Sequence, residues 1–144
     1  MDKNEVENVL VSTFRQRADS LPSPTVNDWA ALRSYFGATQ LCDEFVFFME
    51  LAGRFRIEGE LLRVADGRCL QGVDTIVSAV EAEKGISGWP GSLIPFYSVG
   101  NGDYYCVSTE PAGAVVYLDH EGGSHKVLWK SFSEFLKEGL VDLV

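Results

Sequence analysis

Asp119-His120-Glu121 is the run of residues in this chain whose types come closest to a catalytic or metal centre. An imidazole between two carboxylates can exchange protons near neutral pH or bind a metal ion. Adjacent side chains of a strand point to opposite faces, so the three groups converge only if the strand has already ended. His125 follows beyond two glycines, but the sequence offers no strong third ligand. We therefore predict an exposed polar strand end without a bound metal.

The cysteines Cys42, Cys69 and Cys106 are the candidate nucleophiles and thiolate ligands. They lie far apart in apolar or mixed segments without CxxC spacing, which argues against a zinc site. Cys106 is predicted to lie in the middle of a strand, where nothing marks an oxyanion hole, so it is expected to be a packed core thiol. Unpaired thiols of this kind are typical of a reducing compartment, the cytoplasm.

Gly100-Asn101-Gly102-Asp103 resembles a phosphate-binding loop only at first sight. It lacks GxGxxG spacing, a P-loop lysine and a following helix. Gly and Asn readily adopt the positive φ angles at the tip of a β-hairpin, which is the predicted role of this segment. No motif in the sequence calls for catalysis or a cofactor, so we expect a protein that is not an enzyme.

The aromatic residues around this hairpin are candidates for a binding surface. In the run Tyr104-Tyr105, alternation places the two rings on opposite faces of the sheet. If helices cover one face only, one tyrosine is exposed, and an exposed ring beside an acid suits a protein interface. Ordinary sheet packing is the alternative. With the acidic strand end included, the predicted protein-binding residues are Trp89, Asp103, Tyr104, Asp119, His120 and Glu121.

Composition narrows the classes of partner. The chain has 144 residues, a hydrophobic content of 46% and a formal net charge of −9, which suits one folded domain with a real core. The negative charge disfavours nucleic acid and anionic membranes as partners, and it favours a basic partner or serves solubility alone. No apolar run approaches the roughly 20 residues that span a bilayer, and no secretory signal is recognisable, so we expect a soluble, cytoplasmic protein.

Helical periodicity dominates the first third of the chain. Apolar residues recur at helical spacing from Val6 to Phe14, and this helix is predicted to end near Ser20, before a proline-containing connector. Thr25-Val26-Asn27-Asp28 predicts a capping box for a second helix that stops at Gly37. A third helix is predicted from Leu41 to Leu51, ended by Gly53.

Short strands dominate the rest of the chain. The segment 55–64 is predicted to be a strand broken at Gly59, and Asp66-Gly67 a turn. Asp74 is predicted to cap a fourth helix closed by Lys84 and Gly85. Residues 93–121 predict an antiparallel meander, and Lys126–Lys130 a further strand. Ser131 is predicted to open a last helix that Gly139 stops. This order indicates a single α+β domain with an antiparallel sheet of about four or more strands, flanked by helices.

From Trp29 onward the chain resembles the SMI1/KNR4 family of the SUKH superfamily. The resemblance rests on several motifs that follow one another in the same order as in the family. None of these motifs would be sufficient alone. They are Trp29 and Phe36 in an early helix, Phe48 to Gly53, Trp89, Ile94-Pro95-Phe96, Gly100 to Cys106, Val116 to Glu121, and Ser131-Phe132-x-x-Phe135-Leu136. On this alignment residues 25–144 form the family core, and residues 1–24 an N-terminal helix and connector.

The resemblance implies an α+β fold without established catalysis. Many bacterial relatives are immunity proteins that bind a secreted polymorphic toxin and block it, and fungal members are regulators of cell-wall synthesis. It therefore implies a cytoplasmic protein that occludes a basic toxin domain, such as a nuclease. Two alternatives remain open: a regulatory or scaffold module that binds a self protein, and a small metal-binding enzyme using His120 and His125.

Overall fold

The computed structural model describes residues 1–38, 40–57, 60–64, 75–87, 89–119 and 124–143. Helices come first along the chain and most of the strands follow together as an antiparallel sheet, which makes this an α+β domain, as predicted. The helices are α1 Lys3–Thr13, α2 Val26–Phe36, α3 Asp43–Leu51, α4 Ile76–Ser87 and α5 Phe132–Glu134. The strands are β1 Glu60–Leu61, β2 Leu93–Gly100, β3 Asp103–Thr109, β4 Ala112–Leu118 and β5 His125–Trp129.

The strands form one antiparallel sheet in the order β1-β2-β3-β4-β5, which confirms the predicted meander. Tight turns pair β2 with β3 and β3 with β4, whereas helix α4 lies in the connection between β1 and β2. The first turn has φ angles of 95° at Gly100, 52° at Asn101 and 89° at Gly102, the left-handed region that glycine and asparagine tolerate. The hairpin prediction for this segment is therefore confirmed.

An aromatic cluster fills the space between the sheet and the helices. Phe96 from β2 meets rings from α3 and from the C-terminal segment, with ring centroids 5.4 to 6.3 Å apart. Edge-to-face geometry, which the ring quadrupoles favour, predominates among these contacts. The cluster consists of the fully buried Phe45, Phe48, Phe96, Phe132 and Phe135. It holds α3 and the C-terminal segment against the sheet.

Helix termini follow the local sequence where a side chain can cap them. The Thr25 hydroxyl oxygen accepts a hydrogen bond from the Asp28 N–H at 3.1 Å, and the Asp28 carboxylate accepts one from the Thr25 N–H at 2.8 Å, which confirms the capping box. Gly37 ends α2 in the left-handed conformation at φ 62°, as predicted. Thr75 caps α4 through the Ser78 N–H, whereas Asp74, the predicted cap, lies outside the described residues.

Some helix boundaries differ from the predictions, and at the end of α1 the cause is backbone pairing with a distant segment. Helix α1 ends at Thr13 and not near Ser20, since Arg15–Arg17 pairs with Arg54–Arg56 as an antiparallel ribbon. Helix α3 ends at Leu51, as predicted, but Gly53 does not stop the helical segment, because a 3₁₀ turn runs on through Ala52–Arg54. Helix α3 itself begins at Asp43, two positions after the predicted start.

Three further boundaries also differ from the predictions. Lys84 and Gly85 do not close α4, which continues to Ser87. Gly139 does not stop the last helix, because a π-helical turn over Phe135–Gly139 passes into a 3₁₀ turn over Leu140–Leu143. Strand β1 is shorter than the predicted strand, while Gly59, Asp66-Gly67 and Cys69 lie outside the described residues.

Candidate protein-binding surface on the sheet

Three tyrosines form a row across the central strands. Tyr97 of β2 pairs in register with Tyr105 of β3, which pairs in turn with Tyr117 of β4. Adjacent ring centroids are 5.8 Å apart in both contacts, so the rings pack on one another. All three side chains are half-buried. We call Tyr97, Tyr105 and Tyr117 the tyrosine row; its three partly exposed rings share one face of the sheet.

Carboxylates border the tyrosine row. The Tyr117 hydroxyl donates a short hydrogen bond to the Asp103 carboxylate, whose residue is only 7% exposed. Asp119 follows β4 directly, and its charge acts on Tyr117. Asp142, exposed in the C-terminal 3₁₀ turn, acts on Tyr105 in the same way. The row therefore combines rings with negative charge.

The phenol groups respond to this surrounding charge. The Asp103 hydrogen bond, burial and the charges of Asp103 and Asp119 together raise the pKa of Tyr117 to about 12. Burial, and then the charge of Asp142, raises the pKa of Tyr105. Both hydroxyls therefore stay protonated at neutral pH. The Tyr117 hydroxyl donates to Asp103, so the Tyr105 hydroxyl is the one of the two that can donate to a partner, and the ring faces attract cations.

Replacing Asp103 with asparagine is expected to lower the pKa of Tyr117 from about 12 toward its ordinary value of 10.0. Because the pKa of Tyr117 is raised in the folded chain, its protonated hydroxyl contributes to folding stability fully below pH 10. This contribution is lost as the pH rises through 12. NMR titration of the Tyr117 ring carbons measures the shift. Tyr35, whose pKa burial and Glu81 raise to about 12, is the internal control and should not move. An unchanged Tyr117 titration would contradict the assigned hydrogen bond.

Two of the predicted binding residues lie on the opposite face of the sheet. Tyr104 is 8% exposed and packs edge-on against Trp89, with ring centroids 5.6 Å apart. Its hydroxyl lies 3.4 Å from Glu83 on α4, while the Trp89 indole N–H donates to the Leu93 carbonyl at 2.8 Å. Tyr104 is thus the covered tyrosine of the pair, and Tyr105 is the half-exposed one. The structure separates Trp89 and Tyr104 from Asp103 and Asp119.

Of the run Asp119-His120-Glu121, the structure describes only Asp119. The Asp119 N–H donates to the Ser124 carbonyl at 2.9 Å, while His120 and Glu121 lie outside the described residues. His125 is exposed on β5, opposite Leu118. Among the described residues, no group of three His, Cys, Asp or Glu side chains is arranged to hold a metal ion.

Cys106 is a core thiol, as the sequence predicts. It is fully buried at the centre of β3, and burial raises the pKa of its thiol. Cys42, half-buried at the start of α3, has a pKa raised to about 11, with burial as the main cause. Since the thiolate is the reactive form, neither thiol is activated as a nucleophile.

Sequence reasoning named each tyrosine but did not bring the row together. Gly100 pairs with Asp103 at the turn, so an uninterrupted pairing of β2 with β3 would place Ser98 opposite Tyr105. A register shift between Ser98 and Gly100 moves Tyr97 into that position instead. The sequence does contain one signal for the row: each of three consecutive strands carries a tyrosine, and aromatic residues often pair across strands.

Comparison with known proteins gives a family and a fold. The family model SUKH_5, described as SMI1-KNR4 cell-wall, matches residues 5–141. Among curated proteins, none matches significantly. A crystal structure of a protein from Pseudomonas syringae pv. tomato shares the fold, with a TM-score of 0.66 and 19% identity over 96% of this chain and 98% of that one. Within the described residues, no helix has the length and apolar character needed to cross a membrane.

Proposed function

The chain belongs to the SMI1/KNR4 family of the SUKH superfamily, and on this premise we propose that it is a non-enzymatic protein-binding module. In its specific form, the proposal is a cytoplasmic immunity protein that neutralises a cognate toxin by covering the toxin's functional surface. The observation that carries it is the tyrosine row with its bordering carboxylates. Such a surface suits contact with another protein.

Tyrosine is among the residues that contribute most to protein interfaces. It presents a large ring with few rotatable bonds, and its hydroxyl can hydrogen-bond at the edge of the contact. Here the rings are braced by neighbours 5.8 Å away, so their positions are set before a partner arrives. Tyr105, at the centre of the row, is the residue we expect to dominate binding.

Charge indicates what kind of partner fits this surface. The formal net charge of −9 and the acids bordering the row favour a basic partner, such as a nuclease toxin whose own substrate is anionic. Lys126 of β5, in register with Tyr117, places one positive charge at the side of the row. A partner surface of lysines and arginines that also carries an acid near Lys126 would be complementary.

Coexpression with the product of the adjacent gene tests the proposal. We expect that product to be toxic alone, to be tolerated with this chain, and to bind the purified chain. Tyr105→Ala should weaken binding about tenfold or more, whereas the control Tyr35→Ala, on α2, should not. Circular dichroism and thermal unfolding of both variants show whether the fold is kept.

A charge reversal at the border of the row tests the electrostatic part separately. Asp142→Lys should slow association and reduce its dependence on salt. The matched control is Glu110→Lys, an exposed acid in the turn at the opposite end of β3 from Asp103. Equal effects of the two reversals would place the contact elsewhere on the chain. If the neighbouring product is harmless and does not bind, the immunity function is wrong, and a regulatory module that binds a self protein takes its place.

A further inference from the structure

Positive charge is concentrated in one place on this acidic chain. Arg17 donates its backbone N–H to the Arg54 carbonyl at 2.8 Å, and Arg56 donates to the Arg15 carbonyl at the same distance. The two hydrogen bonds flank the antiparallel bridge between Gln16 and Phe55. We call these four residues, Arg15, Arg17, Arg54 and Arg56, the arginine ribbon. It holds four of the 12 lysines and arginines of the chain.

The geometry of the ribbon places its arginines together. Phe55 is 2% exposed and is therefore directed into the core. Side chains alternate along extended backbone, so Arg15, Arg17 and Arg56 point away from the face that Phe55 buries. Arg54 is the last residue of the 3₁₀ turn that precedes Phe55. Arg15 and Arg56 are exposed, and Arg17 is half-exposed.

Only part of this charge is neutralised by the described residues. Arg54 lies 3.6 Å from Glu7 in an exposed ion pair, and the Arg17 Nε donates to the Asp19 carbonyl at 3.1 Å. Among the described residues, no ion pair engages Arg15 or Arg56. The ribbon is thus a cationic surface with unused donors.

A fifth arginine lies buried close to the ribbon. Arg63 is 8% exposed, and its Nε has no hydrogen-bond partner among the described residues. Burial, and secondarily the charge of Arg17, lowers the pKa of Arg63 to about 10, so both influences disfavour the cation. A buried guanidinium is unfavourable unless a charge compensates it, and among the described residues no ion pair does so for Arg63. A negative group bound at the ribbon would reduce this cost.

We propose that the arginine ribbon binds an extended acidic segment of a protein, with carboxylates at alternate residues. Residues two apart on a strand lie about 7 Å apart, which is the spacing of Arg15 and Arg17 and also of carboxylates at alternate positions of an extended peptide. Each guanidinium can bind a carboxylate through two parallel hydrogen bonds. Nucleic acid is disfavoured because its dense phosphates meet a chain of net charge −9 and the adjacent Glu7.

This surface is distinct from the tyrosine row, and the inference does not depend on the proposed function. The probe is a short fluorescent peptide of alternating glutamate and threonine, and a peptide of equal composition with its glutamates in one block is the spacing control. The wild-type chain should bind the alternating peptide more tightly. The double variant Arg15→Glu/Arg56→Glu should weaken that binding about tenfold.

The matched control is Lys130→Glu/Lys137→Glu, which changes the net charge equally at two exposed lysines elsewhere. It should leave binding within about twofold of wild type. Urea unfolding of both double variants shows whether either is destabilised. The inference is overturned if the wild type binds neither peptide, if the two double variants weaken binding equally, or if the two peptides bind equally. An oligodeoxythymidylate of equal charge that bound as tightly as the alternating peptide would assign the ribbon to nucleic acid instead.

Discussion

Replacing Phe96 with alanine is expected to lower the free energy of unfolding by about 4 kcal/mol. Phe96 is fully buried, and its ring centroid lies 5.4 to 6.3 Å from those of four other phenylalanines. Truncation removes the contact between β2 and both helical segments, and the surrounding rings cannot all move to fill the space. Urea unfolding followed by tryptophan fluorescence measures the loss.

Val99→Ala is the control for this prediction. Val99 lies on the same strand, but it is 44% exposed, so its truncation should change the free energy of unfolding by no more than about 0.5 kcal/mol. If the two variants lost similar stability, Phe96 would not be at the centre of the core.

Replacing Gly53 with alanine is expected to destabilise the chain by about 2 kcal/mol through overpacking. A Cβ at this position would lie 2.8 Å from the Leu21 carbonyl oxygen and 3.2 Å from the Leu21 Cβ. Backbone cannot yield easily here, because the Leu21 N–H donates to the Gly53 carbonyl at 2.9 Å. The substitution is therefore expected to push the proline-containing connector away from the end of α3. Thermal unfolding would show this loss of stability as a lower Tm.

Gly91→Ala provides the comparison for Gly53→Ala. A Cβ at Gly91 meets no heavy atom within 4 Å, and its φ is outside the left-handed region. Alanine there should raise stability by about 0.5 kcal/mol, since it restricts the unfolded chain. A loss of stability at Gly91 as large as that at Gly53 would show that the close approach to Leu21 is not the cause.

Local signals predicted the parts of the fold that local forces determine. The β2–β3 hairpin follows from Gly100 to Asp103, because that turn needs positive φ angles. The start of α2 follows from Thr25 and Asp28, because a capping box satisfies two N–H groups within four residues. Apolar spacing likewise placed Phe45 and Phe48 on the buried side of α3.

The surfaces could not be predicted in the same way because each depends on pairing between distant segments. The tyrosine row needs the register shift that places Tyr97 opposite Tyr105, and a single displaced residue exchanges the two faces of a strand. The arginine ribbon depends on the pairing of residues 15–17 with residues 54–56, and residues 15–17 lie in a segment that the sequence predicts to be helical. Side chains that are unremarkable in sequence become a cluster only in the folded chain.

The cross-strand packing of Tyr97, Tyr105 and Tyr117 also has a thermodynamic consequence. Each ring is confined by its neighbour at 5.8 Å and is carried by the hydrogen-bonded strands β2 to β4. Most of the side-chain entropy that a binding partner would otherwise remove has therefore been lost already on folding. Complexes formed at these rings should show little structural change in this chain, and variants that loosen the rings should bind with a less favourable entropy even where every contact is retained.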